Sequence, residues 1–195
     1  MFVYVVARDF GFAPNPFGGT CTLATCKPEI RRRANIGDWV IGTGSASYDR
    51  DGNIVFAMKV TEAMTFDDYW DDARYQYKKP HFNAGKKHGY GDNIYHRVAG
   101  KWRQLDSHHS HANGSPNANN IVNDTQVDRV LLSTDFVYWG GSGPKIPQHL
   151  KKYHGQPLLI VRGYRRHFAP GHEEALVDWI RSLGEVGYSG RPLEW

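Results

Sequence analysis

The segment from Asp106 to Asn113 carries the densest group of reactive side chains in the sequence. It places His108, His109 and His111 within four residues. Imidazole gains and loses a proton near neutral pH, so these three histidines are the candidate acid–base residues. Neighbouring residues of a strand point to opposite sides, so His108 and His109 suit a single metal site poorly. We therefore predict no metal and no cofactor here. The alternative is an exposed polar loop without a chemical role.

The two cysteines, Cys21 and Cys26, are separated by four residues. A closed zinc site would need two more ligands, and the sequence has no second cysteine pair. The C-x-x-C spacing of redox motifs is absent. Two ordinary buried or half-buried thiols are the favoured interpretation. A nucleophilic cysteine with a histidine base stays open, although no local motif marks one.

The common nucleotide-binding and hydrolase motifs are missing. The sequence contains no Walker loop, no G-x-G-x-x-G, no G-x-S-x-G and no H-E-x-x-H. The sequence therefore gives no support for a P-loop, dinucleotide-binding or α/β-hydrolase function.

Aromatic and amide side chains occur in a Gly-rich loop and at the ends of predicted strands. Such groups can sandwich a planar base and bind its edge, although a core built from aromatics is the alternative. The candidate ligand contacts are Asn15, Phe17, Ser45, Asn93, Tyr95, Trp102, Gln104, Tyr138 and Trp139.

Basic residues occur in clusters, several of them beside aromatics. The formal net charge is +4, which favours an anionic partner only mildly. Basic residues interleaved with aromatics suit phosphate contact and base stacking, so we predict a nucleic acid or a modified nucleotide as partner. A solvated basic surface is the alternative. The candidate phosphate contacts are Arg31, Arg32, Arg33, Arg162, Arg165 and Arg166.

The predicted elements are short strands with a few helices between them. At 195 residues, the chain is expected to form one domain over 1–195. Proline at the first helical position opens a helix at Pro28, Thr65 caps a second helix, and an apolar stripe from Leu176 to Leu183 marks the last. Strands are predicted at 2–7, 39–42, 53–61, 93–98, 102–105, 127–133, 135–139 and 158–161. The expected fold class is α+β, as a small, partly open barrel flanked by helices.

The apolar stretches are too short for a membrane span. The longest are Phe2–Ala7 and Pro157–Val161, against the roughly 20 residues that a spanning helix needs. The start of the chain lacks the pattern of a signal peptide, and there is no disulfide framework. We therefore expect a cytoplasmic protein without a membrane partner.

The order of motifs resembles a known family. The segment Ile36–Ser45 and the strand that ends in Met58–Ala63 resemble the PUA-like superfamily, which includes EVE, ASCH and YTH domains. The whole chain is similar to the nucleotide modification associated domain proteins of type two. The residues that carry this similarity are Phe2–Arg8, Asn15–Gly19, Gly37–Trp39, Asp92–Tyr95 and Leu132–Gly140.

The resemblance implies recognition of a modified base in a pocket at the mouth of the barrel. The Gly11–Thr20 loop would form a wall, the Asp92–Gln104 hairpin the floor and the His108–Asn113 loop a lid. The expected function is binding of a modified base or nucleotide in a DNA-modification or phage-defence system. Two alternatives stay open: an enzyme on the same scaffold that uses the histidines as acid and base, and a protein-interaction module.

Overall fold

The computed structural model describes residues 1–159 and 163–195, and it divides the chain into two compact units. Unit 1 consists of Met1–Asp9, Ala34–Val60 and Thr134–Trp195. Unit 2 consists of Phe10–Arg33 and Thr61–Ser133. A single domain over 1–195 remains a prediction.

Both units combine short strands with helices, so the predicted α+β class is confirmed. The strands are β1 Phe2–Val5, β2 Cys21–Leu23, β3 Trp39–Thr43, β4 Ile54–Lys59, β5 Glu62–Met64, β6 Tyr95–Val98, β7 Lys101–Gln104, β8 Val130–Ser133, β9 Asp135–Tyr138, β10 Lys152–Tyr153, β11 Gln156–Pro157, β12 Tyr164–Arg165 and β13 Gly187–Tyr188. The helices are α1 Pro28–Arg33, α2 Phe66–Asp71, α3 Lys86–Gly89, α4 Ala118–Thr125, α5 Gln148–Lys151 and α6 His172–Ser182.

Unit 1 is built on a six-stranded mixed sheet in the order β12-β1-β3-β4-β9-β13. The pairs β1–β3 and β9–β13 are parallel and the others antiparallel. Strand β3 is buried along its whole length, as expected for an apolar strand inside a sheet. The core joins Ile41 and Ala57 of the sheet with Leu176 and Ile180 of α6. The apolar stripe of the last helix therefore packs as predicted.

Unit 2 contains a three-stranded sheet, β2-β8-β5, and the β6-β7 hairpin. Its core includes Phe66 and Tyr69 of α2, Tyr95 of β6 and Leu132 of β8. The predicted cap is present, because the Thr65 hydroxyl accepts from Asp68 N and the Asp68 carboxylate accepts from Thr65 N. Helix α4 has no counterpart among the predicted elements.

In the described part of the chain, none of the sheets closes into a barrel. The PUA-like barrel therefore remains a prediction. Of the strand predicted at 158–161, Leu158 and Leu159 are not in a strand, and residues 160 and 161 lie outside the described residues. Every helix among residues 1–159 and 163–195 is too short or too polar to cross a bilayer.

Candidate functional site

Unit 2 brings together Cys26, His109 and Asp124, which lie far apart in the sequence. The Cys26 sulfur is 3.6 Å from His109 Nε2, and His109 Nδ1 is 2.7 Å from Asp124 Oδ2. The Asp124 side chain is fully buried, whereas His109 is 15% exposed and Cys26 is half-buried. A thiol therefore faces an imidazole, and a buried carboxylate orients that imidazole. We call these residues, with Tyr95 and Arg31, the cysteine cluster.

Each member of the cysteine cluster is held by a local feature of the chain. Cys26 follows β2 and Asp124 lies on α4. Helix α4 begins where Asn117 Oδ1 accepts from two backbone N–H groups. The His109 carbonyl accepts from Gln104 Nε2 at 3.2 Å and from Asn120 Nδ2 at 2.8 Å. The loop that carries His109 is thus attached to both β7 and α4.

The carboxylate of Asp124 is surrounded by donors. Its Oδ1 accepts from Cys26 N at 2.8 Å, and its Oδ2 accepts from the Tyr95 hydroxyl at 2.9 Å. Burial opposes the charged imidazolium of His109, but hydrogen bonds from the ring to Asp124 and Cys26 raise the pKa of His109 to about 9. Burial, together with the Asp124 charge, raises the pKa of Tyr95, so this phenol keeps its proton and donates.

Arg31 belongs to the same cluster and is fully buried. Its guanidinium donates to four backbone carbonyls, those of Cys26, Asp124, Val127 and Arg129. Burial lowers the pKa of Arg31 to about 10, which still leaves it charged at neutral pH. The predicted phosphate contact by Arg31 is wrong, because all of these donor bonds lie inside the protein. Arg31 instead ties the Cys26 turn to the end of α4.

The ligand atoms of Cys26, His109 and Asp124 lie within 4.8 Å of one another, which raises the question of a metal. Asp124 is, however, hydrogen-bonded directly to His109 Nδ1, which leaves only the Cys26 sulfur and His109 Nε2 facing each other. Structural zinc takes four ligands, and catalytic zinc takes three from the protein. Among the described residues this group has no fourth member. The donors fit a hydrogen-bonded relay better than a metal centre.

A cavity of about 700 Å³ opens beside this cluster in unit 2. Its wall includes His108 and His111, with Tyr90, Phe82 and Lys86. The ring of Phe12 lies 4.7 Å from the His109 ring and 5.2 Å from the His108 ring. His108 therefore faces the cavity while the next residue faces the thiol. We call this cavity the His108 pocket.

A second buried polar group in unit 2 centres on Lys78 and Asp92. Lys78 Nζ donates to Asn15 Oδ1 at 2.8 Å, to Thr20 O at 2.7 Å and to Thr22 Oγ1 at 3.1 Å. Asp92 accepts from the hydroxyls of Thr22 and Tyr69 at 2.6 and 2.8 Å. Burial outweighs the attraction of Asp92 and lowers the pKa of Lys78 to about 8. We call this group the lysine cluster.

The predicted ligand contacts in unit 2 divide between several surroundings. Tyr95 and Gln104 do not line the His108 pocket. The Tyr95 hydroxyl donates to Asp124, and Gln104 Nε2 donates to the Tyr95 hydroxyl and to the His109 carbonyl. Asn15 and Phe17 line a separate cavity of about 170 Å³. Asn93 is buried, and its amide nitrogen donates to two backbone carbonyls. This differs from the prediction, because a ligand cannot reach that nitrogen. Trp102 is half-buried, and the Arg97 guanidinium lies over its ring, 3.9 Å from the ring centre.

The remaining aromatic candidates, Tyr138 and Trp139, are both buried in unit 1, which differs from the expected ligand contact. Trp139 is 2% exposed, packs in the unit 1 core and donates from Nε1 to Glu185 at 2.8 Å. Tyr138 is buried and its hydroxyl donates to Asp9. Neither ring has a face open for stacking. Ser45, also in unit 1, accepts from Ser47 N in a short turn.

The other basic candidates stay at the surface. Arg32 and Arg33 are exposed and form ion pairs with Glu29, each at 3.1 Å. Arg166 is exposed, and the Arg165 Nε donates to His167 O at 3.1 Å. Phosphate contact by these four remains a prediction. Arg162 lies outside the described residues.

The sequence interpretation missed the partners of His109. No local motif connects Cys26 or Asp124 with His109, because they lie 83 and 15 residues from it in the sequence. The available signal was Asn117, a strong N-cap residue before Ala118. A helix predicted from that cap would have carried Asp124 back toward the histidine segment.

The fold and site define an α+β protein in which one unit holds a thiol–imidazole–carboxylate group beside an aromatic and basic pocket. The chain belongs to the nucleotide modification associated domain 2 family, whose model matches residues 1–195. The resemblance drawn from the motifs is thereby confirmed, and the family description connects the chain with nucleotide modification. No curated protein and no solved structure matches the chain.

Proposed function

We propose that the chain binds a modified base or nucleotide, in nucleic acid, as part of a DNA-modification or phage-defence system. The observation that carries this proposal is the His108 pocket. A volume of about 700 Å³ lies within the range of small-molecule sites, which is roughly 300–1,000 Å³. The family description supports a nucleotide as the occupant.

The chemistry of the pocket wall suits a nucleotide. Phe82 is 57% exposed and Tyr90 is half-buried, so both rings can offer a face to a planar base. Lys86 lies on the same wall and is exposed, where its ammonium can meet a phosphate. Ser107, Ser110 and Asp106 supply donors and acceptors for the edge of a base.

The aromatic side of the pocket is ordered by ring contacts. Phe10 stacks on Tyr90 with ring centres 5.5 Å apart, and His108 lies 4.4 Å from Phe10 and 5.3 Å from Tyr90. Such a cluster holds its rings in place before a ligand arrives, which lowers the entropic cost of binding.

The test is a titration of the purified protein with plain and modified nucleotides and short oligonucleotides. Replacing Phe82 by Ala should weaken binding about 5- to 150-fold, since stacking one base is worth roughly 1–3 kcal/mol. Lys86→Ala should weaken all ligands alike and flatten the salt dependence. The matched control is Val186→Ala, because Val186 is 76% exposed and lies in unit 1.

Two results would contradict the proposal. One is the absence of binding by any nucleotide or oligonucleotide, which would favour the protein-interaction alternative. The other is equal affinity of the Phe82→Ala variant and the parent, which would place the ligand elsewhere.

A further inference from the structure

The relay Cys26–His109–Asp124 has the geometry of an activated nucleophile. A nucleophile within hydrogen-bond reach of a base, with the base oriented by a third group, is the common arrangement of nucleophilic catalysis. Here the sulfur lies 3.6 Å from Nε2, and Nδ1 of the same ring lies 2.7 Å from the buried carboxylate. A cysteine packed only for its volume needs neither partner.

The backbone at the thiol adds a second observation. Cys26 and Lys27 have φ angles of +57° and +40°, in the left-handed region that side chains other than glycine rarely adopt. Strain of this kind persists only where the surroundings hold it in place. Here Asp124 binds the Cys26 N–H and Arg31 binds the Cys26 carbonyl, so both sides of the residue are fixed.

The other thiol in the chain shows the contrast. Cys21 is fully buried, and burial raises the pKa of its thiol to about 12. It has no imidazole partner among the contacts of the described residues. Of the two cysteines, Cys26 alone is both half-buried and paired with a base.

We propose that Cys26 is a catalytic nucleophile for acyl substrates, with His109 as its acid–base partner and Asp124 as a positioning residue. In the reactive form His109 holds the proton of the thiol, so that a Cys26 thiolate faces an imidazolium. The thiolate sulfur forms a bond with the carbonyl carbon of an ester or amide, and the electron pair of the C=O double bond moves to the oxygen. The bond from that carbon to the leaving oxygen or nitrogen then breaks, and the leaving group takes the electron pair and the proton. Water hydrolyses the resulting thioester and releases a carboxylic acid.

The geometry favours acyl substitution over simple addition to a double bond. Substitution needs a group that first accepts the proton of the nucleophile and then delivers it to the leaving group. His109 is held for that role, because Asp124 fixes its ring and faces Nε2 toward the sulfur. This proposal stands apart from nucleotide binding in the His108 pocket, and either can fail alone.

The test uses 4-nitrophenyl acetate as the acyl donor, with release of 4-nitrophenolate followed by absorbance. Mass spectrometry of digested protein then locates the acetyl group. We expect one acetyl group per chain on Cys26, none on Cys21, and an unchanged rate in the Cys21→Ala control. Cys26→Ala should abolish the acylation.

The histidine and the aspartate are tested by rate. His109→Gln should slow acylation about 10²–10⁴-fold, the contribution typical of a general acid–base residue. Asp124→Asn should slow it as well, whereas Asp72→Asn is the matched control, because Asp72 pairs with Arg74 at 2.7 Å and has no contact with the cysteine cluster among the described residues. Partial recovery of the His109→Gln rate by added imidazole would separate a missing base from a damaged fold.

Three outcomes would overturn the proposal. Acylation of Cys26 in the parent at the rate of free glutathione would show that the relay does not activate the thiol. An undiminished acylation rate in the His109→Gln variant would show that His109 is not the acid–base residue of the reaction. Stoichiometric zinc in the purified protein, with acylation appearing only after chelation, would assign the same residues to a metal site.

Discussion

The cysteine cluster and the lysine cluster both bury charged groups inside unit 2, yet they differ in access to solvent. In the lysine cluster, Lys78 is 1% exposed and Asp92 fully buried, and both are surrounded by hydrogen-bond partners. In the cysteine cluster, Asp124 is buried but His109 and Cys26 reach the surface. A polar network that is buried from solvent stabilises the fold but offers no group to a substrate. A network with a partly exposed thiol and imidazole can also react with one.

The difference also shows in what surrounds each positive group. Lys78 Nζ, with three hydrogens to donate, contacts four acceptor atoms, so no donor is left for a ligand. His109 uses Nδ1 for Asp124 and turns Nε2 to a thiol, which is a reactive group rather than a structural acceptor. We therefore expect variants in the two clusters to separate stability from reactivity.

The largest effect is expected for Lys78→Met. Removing the lysine leaves its acceptors on Asn15, Thr20 and Thr22 without their donor, and a buried acceptor left unsatisfied typically costs about 1–3 kcal/mol. It also takes away the cation whose charge favours the buried Asp92 carboxylate. Urea unfolding should show this loss in the free energy of unfolding, while acylation of Cys26 at low temperature should be unchanged. Lys101→Met is the control, because Lys101 is exposed on β7. A variant within about 1 kcal/mol of the parent would show that the lysine cluster is not structural.

The pH dependence of stability should have opposite signs in the two clusters. The pKa of His109 is raised from 6.5 to about 9, so its stabilising effect is present below pH 6.5 and is lost as the pH rises through 9. The pKa of Lys78 is lowered from 10.5 to about 8, so its cost in stability is relieved as the pH rises from 8 to 10.5.

Urea titrations at several pH values test these signs through differences between the parent and two variants. The free energy of unfolding of the parent, relative to that of His109→Gln, should decrease from pH 6.5 to 9. The free energy of unfolding of the parent, relative to that of Lys78→Met, should increase from pH 8 to 10.5. Parallel curves for the two variants would contradict the contrast.

The comparison also shows which parts of the molecule the sequence could predict. Local signals worked: Pro28 opened α1, Thr65 capped α2, and the stripe at Leu176 and Ile180 faced the core. These features depend on residues within one or two turns of each other. The histidine segment was also found, because its three imidazoles are adjacent in sequence.

Features that depend on distant partners could not be predicted in this way. Arg31 belongs to an exposed-looking RRR run, yet its donors reach carbonyls 93 to 98 residues away, and this buries it. Trp139 precedes a glycine turn, yet the core of unit 1 covers it. Neither position has a periodic pattern that would have signalled burial.

The smallest expected effect, and the sharpest contrast, concerns the neighbours His108 and His109. His108 is exposed, lines the pocket and contacts the rings of Phe10, Phe12 and Tyr90, whereas His109 faces Cys26 and Asp124. His108→Ala should weaken nucleotide binding by up to about tenfold, since one exposed ring contact is worth roughly 0.5–1.5 kcal/mol. It should leave the acylation rate of Cys26 unchanged.

His109→Gln should give the reverse result, with slow acylation and an equilibrium nucleotide affinity close to that of the parent. Calorimetric titration and the nitrophenolate assay on the same three protein samples make this comparison directly. If both variants lose both properties together, the two histidines serve one site. In that case the nucleotide itself would reach the thiol, because a ligand bound against His108 would then also depend on the ring that faces Cys26.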